Sequence, residues 1–391
     1  MGILSAEGRT GQRVLIRGYA MRMAQNTIVM TLSIALGLFL IEVILRIDGR
    51  YHDLASHKLI YSRAIWERPV DTVQFSKHLD LNVLIEIRTD ADGVRNHSEI
   101  PTDRKRNIIG FFGDSFVENR RIEDRFSVTS ILDTAAGPEA RVVNYGVDGY
   151  GLDQSYLRYQ KYQKHDIKHV VYVFCENDLR NLYETGLTEV DQDGDIIIRA
   201  AKRNLFYQAI GRMHLTYLTL TAYYKMMAFL NLVRSSEVSP IDWFGDAKSH
   251  RARFHDRYAD AVTSDFLSTT PSDDVLRLAR KFLLLLKKWK LEVENANRTF
   301  TVLVLPRKSD ADVAAKLFRD FDGNVIGLSR YFENYDNFAF EHDDHWNEYG
   351  NVKAAEVIFD NQDFPFHGEL KSMDFIGKLK IEIDEYYRKH R

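Results

Sequence analysis

Nineteen consecutive residues, Met23 to Ile41, carry no charge. As a helix they span about 28 Å, close to the hydrocarbon thickness of a bilayer. A buried core helix is the other way to hide such a run, but core helices rarely go so far without a charge. The stretch therefore reads as a transmembrane helix over 23–45. Glu42 then falls near one interface, ahead of Val43-Ile-Leu45. A cleavable signal peptide fits less well, because the run is long and no small-x-small cleavage site follows. Residues 1–22 hold Arg9, Arg13, Arg17 and Arg22 against the single acid Glu7, while the far flank holds Arg50, Lys58 and Arg63. So small a bias does not decide orientation by the positive-inside rule. It leans toward a cytoplasmic 1–22 and a domain, 46–391, on the periplasmic or extracellular side.

The whole chain has the composition of an ordinary globular protein, with 45% hydrophobic and 28% charged residues. A net charge of −3 offers no basic patch that would suggest a nucleic-acid partner. One cysteine, Cys175, excludes an internal disulfide and a cysteine-rich metal site. The redox state of the compartment stays open.

Apolar runs at Ile108–Phe112, Val142–Tyr145, His169–Phe174 and Phe300–Leu305 predict buried strands. Helical patterns at Val128–Ala135 and Asp153–Gln163 lie between them. Strands alternating with helices predict an α/β class, a three-layer α/β/α sandwich around a mainly parallel, flavodoxin-like sheet. Upstream, the alternating run Leu81–Ile87 and the turn signal Asp92-Gly93 predict a strand at the edge of that sheet. An insertion at about 180–298 separates the third and fourth strands. Within it, apolar Leu205–Val233 either packs on the domain or lies in the membrane interface. The polar stretch 234–273 reads as a linker or mobile loop. Ser272 can cap a helix that begins with Asp273 and Asp274. Val275, Leu278, Phe282, Leu285, Trp289 and Val293 then give that helix an apolar face.

The first strand runs into Gly113-Asp-Ser115, then breaks at the polar segment Glu118 to Arg121. Ligands in open α/β sheets bind outside the carboxyl ends of the strands, so Ser115 stands where chemistry is expected. Two further blocks, Asn144-Tyr-Gly-Val-Asp-Gly149 and Glu176-Asn-Asp178, also follow predicted strands, and Asp343-Asp-His-Trp-Asn347 lies in the last loop. An ester carbonyl needs a nucleophile, a base and donors for the oxyanion. Ser115 is the candidate nucleophile; the four blocks together resemble those of a known hydrolase superfamily, and that resemblance makes His345 the base, with Asp343 the acid that could fix the imidazole tautomer.

The order Ser, Gly, Asn, His over about residues 88–360 resembles the SGNH (GDSL-type) hydrolase superfamily. The single preceding helix and the Gly-Val-Arg95 segment before Asn96 resemble its membrane-anchored branch. The resemblance implies an oxyanion hole made by the N–H groups of Ser115 and Gly149 and the Asn177 amide. Many members place the acid three residues before the histidine, where this chain has His342. The superfamily also uses the spacing of Asp343, so Asp343 is chosen and Asp344 is expected to point away. Cys175 stands where the third block usually has glycine, and a small buried residue is the expectation. Asp114 and Asp178 are expected to tie loops rather than take part in chemistry. Tyr150 and Trp346 either line an acyl or sugar pocket or simply pack. His250 and His255 lie in a polar segment, and neither a metal nor a cofactor is expected. The implied function is a membrane-anchored serine esterase acting on an O-acylated carbohydrate or lipid, with no nucleic acid and a possible membrane-protein partner. An O-acyltransferase with the same residues and a degenerate scaffold subunit are the alternatives.

Overall fold

A computed structural model describes residues 6–48, 59–60, 66–68, 70–81, 83–95, 107–138, 140–191, 195–198, 261–341 and 343–391. Leu205–Val233, His250, His255 and His342 lie outside the described residues. The first helix, α1 (Ala6–Asp48), runs for 43 residues and so begins well before the 23–45 span read from the sequence. Charge limits where a helix can enter lipid, not where it ends, and no proline interrupts 6–48. Its Gln25–Ile44 portion has a mean hydropathy of 2.3 and is 6% buried, which makes it a candidate membrane span. Val29, Leu32 and Phe39 are each more than 60% exposed, unlike the residues of a core helix.

After α1 comes a hairpin of β1 (Val73–Lys77) and β2 (Leu84–Arg88), paired antiparallel. The alternation seen in the sequence is real, with Ile85 and Ile87 buried and Leu84 and Glu86 exposed. It does not place the strand at the edge of the main sheet, as expected, because each of these strands pairs with the other. The Asp92-Gly93 turn is present, and Gly93 has a φ of +72°.

The α/β unit begins with β3 (Asn107–Phe112), α2 (Ser115–Glu118), α3 (Val128–Ala135) and β4 (Ala140–Asn144). It continues through α4 (Leu152–Tyr162), β5 (Ile167–Phe174), α5 (Asn177–Thr185) and a small hairpin, β6 (Thr188–Val190) with β7 (Ile196–Ile198). Then come α6 (Asp273–Asn295), β8 (Thr299–Val304), α7 (Lys308–Leu317) and β9 (Asn324–Gly327). The last elements are the hairpin β10 (Ala339–Phe340) and β11 (Asp343–Trp346), followed by α8 (Glu348–Asp360) and α9 (Ile376–His390).

The central sheet has five strands in the order β9-β8-β5-β3-β4, all parallel. The chain steps from β3 out to β4, then returns across β3 to start β5, so the order reverses between β3 and β5. That reversal is the topological switch point at which open α/β sheets bind their ligands.

Alternate strand residues face opposite layers, as the pleat requires. Ile109, Phe111, Val171 and Val173 pack with Ile131 of α3, Ile358 of α8 and Ile383 of α9. Ile108, Phe112, Val170 and Tyr172 pack with Tyr156 of α4, Phe282 and Trp289 of α6 and Val313 of α7. Each such side chain contributes about 1.5–3 kcal/mol of burial. A polar tie joins distant segments across one layer. The His78 Nδ1 accepts the N–H groups of Asp80 and Leu81, at 3.1 and 3.0 Å, so its proton sits on Nε2. That proton faces Glu348 Oε1 at 3.0 Å, and Glu348 Oε2 accepts the Tyr387 hydroxyl at 2.8 Å.

Candidate active site

The carboxyl end of β3 delivers Ser115, the candidate nucleophile. A Cβ on Gly113 would lie 2.8 Å from Val117 Cγ2 and 3.0 Å from the Val173 carbonyl oxygen, so only glycine lets the turn pack this closely. Asp114 caps α2, its Oδ1 accepting the Phe116 N–H at 3.0 Å. Ser115 is the first helical residue and is half-buried.

His345, the candidate base, arrives from 230 residues further along the chain. The His345 Nε2 lies 2.5 Å from Ser115 Oγ. Its Nδ1 is hydrogen-bonded to the Asp343 carboxylate, which also accepts the His345 backbone N–H at 2.9 Å. With the Nδ1 proton donated to Asp343, Nε2 is left as the acceptor for the serine proton. Burial pulls the imidazole toward neutrality, but the hydrogen bond and charge of Asp343 outweigh it and raise His345 above its ordinary value. Burial likewise opposes the charge on Asp343, and the His345 hydrogen bond and charge prevail, holding its carboxyl at about 2. The two side chains are 31% and 34% exposed, so a substrate has access to them. The Phe116 ring stacks on the imidazole at 4.6 Å with an interplanar angle of 23°. Asp344 turns away as expected: it is 60% exposed and pairs with Arg307 at 3.2 Å.

Across the switch point, Asn177 opens α5 and its Nδ2 donates to Asp114 Oδ2 at 3.3 Å. Asp114 is thus a brace between the serine turn and the asparagine. Burial raises its carboxyl pKa against these hydrogen bonds. Asp178 accepts the Tyr172 hydroxyl at 2.7 Å and the Cys175 N–H at 3.0 Å, and burial, then the charge of Asp114, raises it well above its usual range. Both acids tie loops. Cys175 is buried, and burial pushes its thiol well up even with an Arg307 nitrogen 2.8 Å from the sulfur. Nothing here makes it a thiolate nucleophile.

Gly149 occupies an exposed turn closed by the Tyr150 N–H to the Val147 carbonyl at 3.0 Å, with a φ of +78°. Among the described residues, neither the Ser115 nor the Gly149 N–H is taken by a protein hydrogen bond. Tyr150 and Trp346 do not line an open pocket. They are 3% and 2% exposed, and Trp346 packs edge-on to Phe116 and flat on Phe332. Packing, the second of their two readings, is what the structure has.

Two participants escape the sequence reading. Arg307 follows β8, pairs with Asp310 at 2.8 Å and sits 5.3 Å from the Phe116 ring centroid. Its only signal is a charge placed directly after a buried strand. Glu118, read as part of a polar break, is 2% exposed in a bidentate ion pair with Arg68. Among the described residues, no cluster of His, Cys, Asp and Glu has the arrangement of a metal site.

No family model and no curated protein matches this chain. Among solved structures, it is similar to a member of the lipolytic protein G-D-S-L family from Veillonella parvula DSM 2008, at 12% identity and a TM-score of 0.33. That alignment covers 65% of this chain and 99% of the other. It is also similar to a putative lipolytic protein of the G-D-S-L family from Desulfitobacterium hafniense DCB-2, at 10% identity and a TM-score of 0.34, covering 64% of this chain and 99% of the other.

Proposed function

We propose that this chain is a membrane-anchored serine esterase of the SGNH type. It cleaves O-acyl esters, acetyl first among them, on a carbohydrate or lipid. The observation that supports the reading is the continuous relay from Ser115 Oγ through His345 to Asp343. His345 Nε2 takes the serine proton as Oγ attacks the ester carbonyl carbon. The oxyanion that forms is held by the N–H groups of Ser115 and Gly149 and by the Asn177 amide. Collapse breaks the bond to the ester's alkoxide oxygen, which leaves as the alcohol by taking from His345 the proton that came from Ser115, and an acyl group stays on Ser115. Water, deprotonated by the same imidazole, then releases the acid. No cofactor enters these steps. Helix α1 holds the domain at a membrane surface, where an acylated glycan or lipid is within reach.

The test is to treat the detergent-solubilised protein, beside Ser115→Ala, with a fluorophosphonate probe. Wild-type labelling that the variant loses is expected, and an unlabelled wild type overturns the reading. Acetate release from acetylated glycans, measured with and without a sugar acceptor, then checks the reaction class. Transfer to the acceptor in place of acetate release would assign an acyltransferase.

A further inference from the structure

The helix that begins at Ser115 ends, three residues later, on the buried carboxylate of Glu118, which holds the turn before Gly149. Glu118 Oε2 accepts the backbone N–H of Asp148 at 2.6 Å and an Arg68 nitrogen at 2.8 Å. Its Oε1 accepts the Arg68 Nε at 2.5 Å. Glu118 and Arg68 are 2% and 5% exposed, so the pair is sealed from water. Asp148 immediately precedes Gly149 in the exposed turn described above. The far end of α2 is itself clamped, since Arg95 donates to the Glu118 carbonyl at 2.8 Å and to the Ile122 carbonyl at 2.7 Å.

A side-chain carboxylate has no local reason to be buried at this point. Taking it out of water is costly unless every oxygen finds a donor. Here the donors are a guanidinium from a segment 50 residues upstream and one backbone amide 30 residues downstream. The amide belongs to the turn that carries the proposed oxyanion donor. Charge-assisted hydrogen bonds of this kind are roughly twice as strong as neutral ones, enough to fix the turn.

We propose that Glu118, backed by Arg68, is a positioning residue that fastens the Gly149 turn to the nucleophile helix and so sets the oxyanion hole against Ser115. The proposal rests on the serine-esterase reading. A donor held out of place lowers transition-state stabilisation while leaving ground-state binding nearly untouched, so the loss falls on kcat rather than KM.

The experiment uses the full-length, detergent-solubilised protein with p-nitrophenyl acetate, plus fluorophosphonate labelling and thermal melting of every variant. Glu118→Asp keeps the charge opposite Arg68 but is too short to reach the Asp148 N–H. Glu118→Gln keeps the reach and loses the charge. We expect kcat to fall about 100-fold in the aspartate variant, the scale of losing one oxyanion donor. In the glutamine variant we expect a fall of about tenfold, with KM within about twofold in both. A glutamine variant as slow as the aspartate variant, or slower, means that charge and not the hydrogen bond matters, and it overturns the proposal. So does an unchanged kcat in a variant that melts like the wild type. If the aspartate variant does not fold, kcat of the glutamine variant decides alone. An unlabelled wild type is a different failure, because it removes the esterase reading and the proposal with it.

Discussion

The proton on His345 Nδ1 is held by one carboxylate, and that dependence has a measurable consequence. His345 must be neutral to accept from Ser115, and its pKa lies above the ordinary value of about 6.5. The rate should therefore rise with pH through a limb above the ordinary histidine value. Asp343→Asn removes the group that raises His345 and leaves the burial that lowers it. The limb should then move to lower pH while kcat drops by about 10⁴-fold, the scale found when a triad carboxylate becomes an amide. A pH profile of kcat/KM for both proteins checks this, and a wild-type limb at or below 6.5 would contradict it. The linked stability runs the opposite way: the contribution of His345 is complete at low pH and is lost as pH rises through its raised pKa. Asp343 contributes above its unfolded value and loses that contribution as pH falls toward about 2. Ser115, Asn177, His345 and Asp343 were legible because each belongs to a short block near a strand end or in the last loop. Glu118 and Arg307 were not, because their roles come from partners 50 and 132 residues away. Tyr150 and Trp346 show the converse, since no local pattern tells an aromatic that lines a site from one that packs beneath it.

Helix α6 shows how far local chemistry carries at the scale of one element. Ser272 caps it as expected, its oxygen accepting the Val275 N–H at 3.4 Å, and all six residues of the expected apolar face are buried. Leu285 is fully buried, while Leu291 on the same helix is 58% exposed. Leu285→Ala should cost about 2–5 kcal/mol and Leu291→Ala less than about 0.5, read as shifts in urea midpoint at constant m. Similar costs at the two sites would mean that α6 does not pack as described. Elements with a clear period or cap were found within a residue or two, α3 and the four predicted strands among them. What the period could not supply was partnership. Alternation in β2 showed that one face is buried but not that β1, rather than the main sheet, pairs with it. Strands as short as β9 and β11, four residues each, hold too few repeats to read. Charge told where α1 can cross a membrane and nothing about where its backbone hydrogen bonds stop.

At the scale of the whole molecule, α1 and the α/β unit make one claim about location. With the arginine-bearing flank on the cytoplasmic side, protease added to spheroplasts should digest the large domain, and protection would place that domain in the cytoplasm. The layered architecture was the most legible level, because alternating strands and helices leave few alternatives once the strands are fully apolar. The sheet order was not read from sequence, although the reversal between β3 and β5 is what sets Ser115 beside Asn177. The separation of parts along the chain also has a consequence in time. Ser115 and His345 are 230 residues apart, and they meet only when the β10–β11 hairpin seats beside α2. A ribosome adding about 5–20 residues per second makes Ser115 ten seconds or more before His345. On the serine-esterase reading proposed above, the serine is an ordinary alcohol during that interval.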